Sequence, residues 1–123
     1  MTANLTTVNL KWIKCQGEVW CVLNQVDLDS PHFNNMDGVY VIWHGGPDAA
    51  VVYVGQGHVR DRLKEHRTNK EIQAFARLGL FVTWAAVQQG QRDGVERFLA
   101  EKLKPKVGLK MPEALPTTVN LPW

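Results

Sequence analysis

Runs of β-branched and aromatic residues, set off by glycine and proline, give this chain its clearest signal. Gly38-Val39-Tyr40-Val41-Ile42-Trp43 and Ala50-Val51-Val52-Tyr53-Val54 flank the turn sequence His44-Gly45-Gly46-Pro47-Asp48 and predict a β-hairpin. A hairpin symmetric about Gly46-Pro47 sets Trp43 opposite Ala50 and Tyr40 opposite Tyr53. Opposed residues point to one face, so the two phenols share a surface. Leu80–Val87 predicts a further strand. Upstream, Leu10–Lys14 and Val19–Leu23, joined by Gln16-Gly17-Glu18, predict a short extra hairpin, and residues 24–37 read as loop, broken at Ser30-Pro31 and Asn34-Asn35.

Helical spacing appears in three places. Val59–His66 follows the strand-ending Gly55-Gln56-Gly57. Lys70–Leu78 carries Ile72, Phe75 and Ala76 at core positions. Val95–Leu103 follows a Gly90–Gly94 loop and is stopped by Pro105. The tail from Met111, punctuated by Pro112, Pro116 and Pro122, predicts an extended path over the surface. Thr-Thr-Val-Asn-Leu occurs at both 6–10 and 117–121, too short to define a repeat. The expected architecture is α+β: a small antiparallel sheet of three central strands flanked by helices, with an extra N-terminal hairpin. Residues 1–36 form a β-rich extension packed on the core, 37–108 the main domain, and 109–123 the tail.

Composition narrows the class. At 123 residues, 45% hydrophobic and 21% charged, the chain suits one globular domain. Its apolar runs are too short to span a bilayer, and Met1-Thr2-Ala3-Asn4-Leu5 lacks the basic and apolar regions of a secretion signal, so a cytoplasmic protein is expected. In a tight hairpin Cys15 faces Glu18 and Cys21 faces Trp12. A disulfide is therefore not expected unless the loop is wider, and two cysteines alone fall short of a zinc site. The net charge of +2 hides an asymmetry: residues 1–50 are acidic, while 51–123 collect Arg60, Arg62, Lys64, Arg67 and Lys70, then Lys102, Lys104, Lys106 and Lys110. Such a distribution suggests an anionic partner, although a charge run is more often a solvated face.

Two constellations carry candidate chemistry. Arg62 and His66, four apart, share a helix face beside the apolar Val59 and Leu63. An arginine there can grip a phosphate bidentately and a histidine can hold a water or leaving oxygen, but spacing alone equally describes a solvent-facing helix. Glu96 heads the apolar stripe of Leu99 and Leu103, where a hard cation would partner it. Asp93-Gly94-Val95-Glu96 also fits a capping box, and on spacing alone capping is the stronger reading. Gly55-Gln56-Gly57 lacks the third glycine of a dinucleotide fingerprint, since position 60 is Arg, and no Walker lysine exists. Its glycines instead allow backbone N–H groups to approach a phosphate at a helix start.

Taken in order, Gly38-Val39-Tyr40, Tyr53-Val54-Gly55, Arg62 with His66, Asn69, and Glu96 with the downstream Pro105 resemble the GIY-YIG nuclease family of homing endonucleases, restriction enzymes and repair nucleases. The resemblance spans residues 37–108. It implies a metal-dependent endonuclease with one divalent ion, Mg²⁺ or Mn²⁺, acting on nucleic acid, DNA ahead of RNA, with DNA repair among the family's settings. By position Tyr40 and Tyr53 would be the signature tyrosines, with one near the attacking water. Arg62 would stabilise transition-state charge, His66 would assist proton transfer or positioning, and Glu96 would hold the metal. Gly55, Gly57, Arg60, Lys64, Arg67, Asn69 and Lys70 would contact the nucleic acid. The chain departs from the family pattern at Gln56, at Asn69 and at Gly108, where an asparagine is usual. Two alternatives stand beside this reading: a non-catalytic nucleic-acid-binding module of the same fold, and a protein-interaction domain signalled by five tryptophans. Trp12, Trp20, Trp43 and Trp84 lie in predicted strands, where core packing is the expected role.

Overall fold

The computed structural model describes residues 7–108 and 112–123. A four-stranded antiparallel sheet has the order β1-β4-β2-β3, with β1 at Cys21–Val22, β2 at Asp37–His44, β3 at Ala50–His58 and β4 at Leu80–Ala86. Helices α1 (Val59–His66), α2 (Lys70–Gln73) and α3 (Gln89–Leu103) flank it, giving the expected α+β class. Among the described residues no helix is long and apolar enough to cross a membrane.

Period-two alternation along β2 divides the core between the two faces of the sheet. Tyr40 and Ile42 pack with Val59 and Leu63 of α1 and with Ile72 of α2. Val39 and Val41 pack with Val95 and Leu99 of α3. The β2–β3 pairing differs from a symmetric hairpin. His44 opposes Ala50, and a bulge places Trp43 opposite Val51 but Ile42 opposite Tyr53, leaving Val52 as the extra residue. Tyr40 therefore opposes Gly55, not Tyr53. The turn, closed by His44 and Ala50, is one residue shorter than expected, and the bulge adds a second shift. The two shifts together preserve parity, so both tyrosines still point to one face, their rings stacked with centroids 6.1 Å apart.

The N-terminal hairpin does not form. Ile13 N–H donates to Trp84 and Leu23 N–H to Leu80, so both flanks pair with β4 instead of each other, apart from a Cys15–Val19 bridge. Residues 16–20 are an excursion from one interrupted edge strand. Its two ends must lie adjacent, which brings the Cα atoms of Cys15 and Cys21 to 5.1 Å and joins them in a disulfide. The expectation of unpaired thiols assumed a hairpin in which those residues are out of register, and it is overturned.

The two Thr-Thr-Val-Asn-Leu segments meet. Val8 pairs in parallel with Val119, its own counterpart. Asn120 binds Leu10 through both ends of its amide, accepting from the N–H at 2.6 Å and donating to the carbonyl at 3.0 Å. Val119 and Leu10 are buried in the α3-side core, so the tail runs extended as expected but is anchored.

Two helices depart from their sequence bounds. The segment 70–78 breaks at Phe75, with a 3₁₀ turn at Ala76–Leu78. Helix α3 begins at Gln89, six residues before the expected start, because Gly90 and Gly94 are helical and not loop. A Cβ at Gly94 would lie 2.2 Å from Thr117 Oγ1, so the glycine serves close approach of the tail, whose Thr117 N–H donates to the Gly94 carbonyl at 2.9 Å.

Candidate active site

Helix α1 starts where β3 ends, with His58 as its cap residue, so β3 and α1 hold Tyr53 and Arg62 on one continuous stretch of chain. Tyr40 is fully buried beneath them. Its hydroxyl sits 2.5 Å from His66 Nε2, and the His66 ring lies 4.5 Å from that of Tyr53. Glycine at 55 is required here: a Cβ would come within 2.3 Å of the Tyr40 hydroxyl and 2.9 Å of the Tyr53 ring. At Gly57 a Cβ would touch the Arg62 methylenes at 3.4 Å, and φ is +128°. The two glycines lie inside β3, paired to Tyr40 and Gly38. They make room for side chains, in place of the phosphate cradle expected at a helix start.

Burial is the largest influence on the ionisable groups. It raises the Tyr40 pKa far above that of a free phenol, reinforced by Tyr53 and opposed by Arg62. Burial, followed by the Arg62 charge, lowers His66 to about 4, so the imidazole is neutral at neutral pH. Arg62 is partly exposed and pairs with Glu65 at 3.3 Å. Its Nε and His66 Nδ1 are buried without a hydrogen-bond partner among the described residues. Most buried polar atoms are matched, and His44 Nδ1, outside this cluster, is the third such atom among the described residues.

Glu96 approaches from the other side of the sheet. It lies in the interior of α3, past the first turn, so the capping reading fails. Its Oε1 accepts from Gln56 Nε2 at 2.7 Å, and the same amide donates to Asp93 Oδ1 at 2.6 Å. Burial raises the Glu96 pKa, Gln56 opposes that shift, Asp93 adds to it, and Arg62 counters it. The carboxylate thus reaches β3, the outer strand, from the face opposite the tyrosines and does not share their face as a single-sided site would require. Asp93 and Glu96, one turn apart and bridged by the Gln56 amide N–H₂, offer two hard carboxylate donors, and among the described residues no third acidic, His or Cys side chain joins them. Mg²⁺ commonly takes one or two carboxylates and keeps several waters, so these residues fit such an ion.

The expected nucleic-acid contacts divide. Arg60 donates to the carbonyls of Leu28 (2.6 Å) and Ser30 (2.9 Å) and to Asn34, and Arg67 to those of Leu23 (2.8 Å) and Val26. Both tie the 23–34 loop to α1, so neither guanidinium is disposed toward a phosphate. Asn69 caps α2, accepting from Glu71 N–H at 2.9 Å and Ile72 N–H at 3.1 Å. Lys64 and Lys70 are exposed, Lys64 lying 3.7 Å from Asp29. Gln56 and Asp93 were missed by sequence reasoning. Their signal was present, since Gln56 shares a strand face with Val54 and Asp93 stands three residues before Glu96.

No family model, curated protein or solved structure matches this chain.

Proposed function

We propose that this protein is a metal-dependent endonuclease that hydrolyses nucleic-acid phosphodiesters, as the GIY-YIG nucleases its motifs resemble do. One observation carries the reading: Tyr40, Tyr53 and His66 gather against β3 beside Arg62 of α1, and Glu96 of α3 is hydrogen-bonded to Gln56 of that same strand. In the reaction a water oxygen bonds to phosphorus and the bond from phosphorus to the leaving oxygen breaks; one of the water's two protons ends on the leaving oxygen, by way of solvent, and the other on the new phosphomonoester or in solvent. Arg62 neutralises charge building on the non-bridging oxygens. Tyr53, only partly buried, accepts a hydrogen bond from the attacking water and orients it. Tyr40 and His66 are sealed from solvent and position Arg62 and Tyr53. Glu96, with Asp93 one turn before it, would hold Mg²⁺ or Mn²⁺, which would supply Lewis acidity at the leaving oxygen. The approach of nucleic acid is favoured by Lys64 and Lys70.

The test is incubation with linear, single-stranded, flapped and branched DNA and RNA, in Mg²⁺, Mn²⁺ or EDTA. Cleavage of at least one substrate, abolished by EDTA and slowed roughly 10²–10³-fold by Arg62→Ala, is expected. Failure to cut any of them in either metal contradicts the reading.

A further inference from the structure

Core packing accounts for Trp84, and for Trp43 in part, since Trp43 rests on the α3-side core and on Phe81, but not for Trp20 or Trp123. Trp20, Trp43 and Trp123 gather at the far end of β3, with Trp20 and Trp43 edge to face at 5.3 Å and Trp43 and Trp123 4.7 Å apart. Together with Lys102, Lys104 and Lys106 they line a cavity of about 560 Å³ whose lining contains no acidic residue. Trp123 is 57% exposed, an unusual position for the largest apolar side chain unless its face is used. The lysines come from the end of α3 and the segment after it. That segment is held against the sheet by Lys106 and Val107 N–H groups, which donate to Val51 and Val52 at 3.2 and 2.8 Å. The backbone that carries Lys106 is thus fixed relative to β3.

We infer that this cavity binds an unpaired nucleobase, stacked on the exposed indole of Trp123, with its flanking phosphates on the three lysines. Every base has a π-face, and stacking on aromatic residues beside a basic track is how single strands are held without sequence preference. The cavity volume suits one nucleotide, being within the range of small-molecule sites. Charge complementarity favours this occupant over an apolar peptide, which would draw no attraction from the exposed Lys102, Lys104 and Lys106. The inference rests on the nucleic-acid reading above and adds a substrate class to it. Val51 in the cavity and Gln56 at the cleavage site lie five residues apart on one strand, about 16 Å. A strand that cuts at one end and grips an unpaired base at the other selects flapped, branched or single-stranded substrates over continuous duplex.

The experiment measures binding of a fluorescently labelled eight-nucleotide oligothymidylate in EDTA, alongside an abasic strand of equal length. Trp123→Ala should weaken oligothymidylate binding about tenfold and leave the abasic strand unaffected. Lys102→Ala and Lys106→Ala should weaken both strands, each flattening the salt dependence by roughly 0.7 in slope. Unchanged oligothymidylate affinity in Trp123→Ala overturns the inference, and so does an equal loss for the abasic strand. Cleavage by the parent in Mg²⁺ is read separately. A protein that cuts while Trp123→Ala binds normally loses only this site. One that binds through Trp123 and cuts nothing keeps the site and loses the nuclease reading.

Discussion

Gly55 bears more directly on the phenol–imidazole cluster than any polar residue does, because the hydroxyl it admits is the one bonded to His66. Gly55→Ala should displace Tyr40 or Tyr53, lower stability by about 1–3 kcal/mol through overpacking, and impair cleavage at temperatures where the protein stays folded. Calorimetry with a parallel cleavage assay checks this, and an unaltered melting temperature would speak against the packing described. His66 makes a second prediction at this scale. Its folded pKa of about 4 lies below the ordinary 6.5, so between those values the unfolded chain binds the proton and the folded one does not. Stability should therefore be lost as pH falls from about 6.5 toward 4, beyond what His66→Gln loses over the same range in denaturant titrations. Equal pH profiles for parent and variant would show that the buried imidazole does not carry the effect. The phenols, Arg62 and Glu96 were legible as residues in the sequence. Their burial and the Gln56 bridge were not, because both depend on which strand lies at the sheet edge.

Among the elements, α1 formed over the same residues that its spacing predicts, since Val59 and Leu63 face a sheet that its own strand joins. Helix α3 did not. Glycine at 90 and 94 reads as loop because each costs a helix about 1 kcal/mol relative to alanine. At Gly94 tertiary contact reverses that preference, since Thr117 and the Leu115 carbonyl occupy the space a Cβ needs. Gly94→Ala should accordingly destabilise the protein despite its better helix propensity, and should loosen the tail in hydrogen exchange around Val119. A stabilised variant with an equally protected tail would contradict this packing. The same local logic misplaced the first hairpin. Periodicity identifies strands but not partners, and both flanks of the Gln16–Glu18 turn find β4 before each other. The disulfide follows from that pairing, which no count of residues between Cys15 and Cys21 reveals.

At the scale of the molecule, two basic surfaces foreseen from charge separation have diverged. On α1, Arg60 and Arg67 brace the 23–34 loop, leaving Arg62 beside the tyrosines. At the other end of β3, lysines surround the tryptophan cavity. One strand thus links the proposed cleavage site to the proposed base-binding cavity, while α3 carries Glu96 beside the first and Lys102 beside the second. Everything proposed about activity turns on Glu96, which is no longer explicable as a helix cap. Glu96→Gln keeps the size and an amide oxygen to accept from Gln56, so fold and oligonucleotide affinity should be retained. It removes the negative charge that a hard divalent ion needs. The most direct measurement is the single-turnover cleavage rate of Glu96→Gln against the parent in Mg²⁺, on whichever substrate the parent cuts fastest. A fall of at least roughly 10²-fold in a variant with an unchanged melting temperature is the predicted result; a Glu96→Gln protein that cuts as fast as its parent would contradict the account.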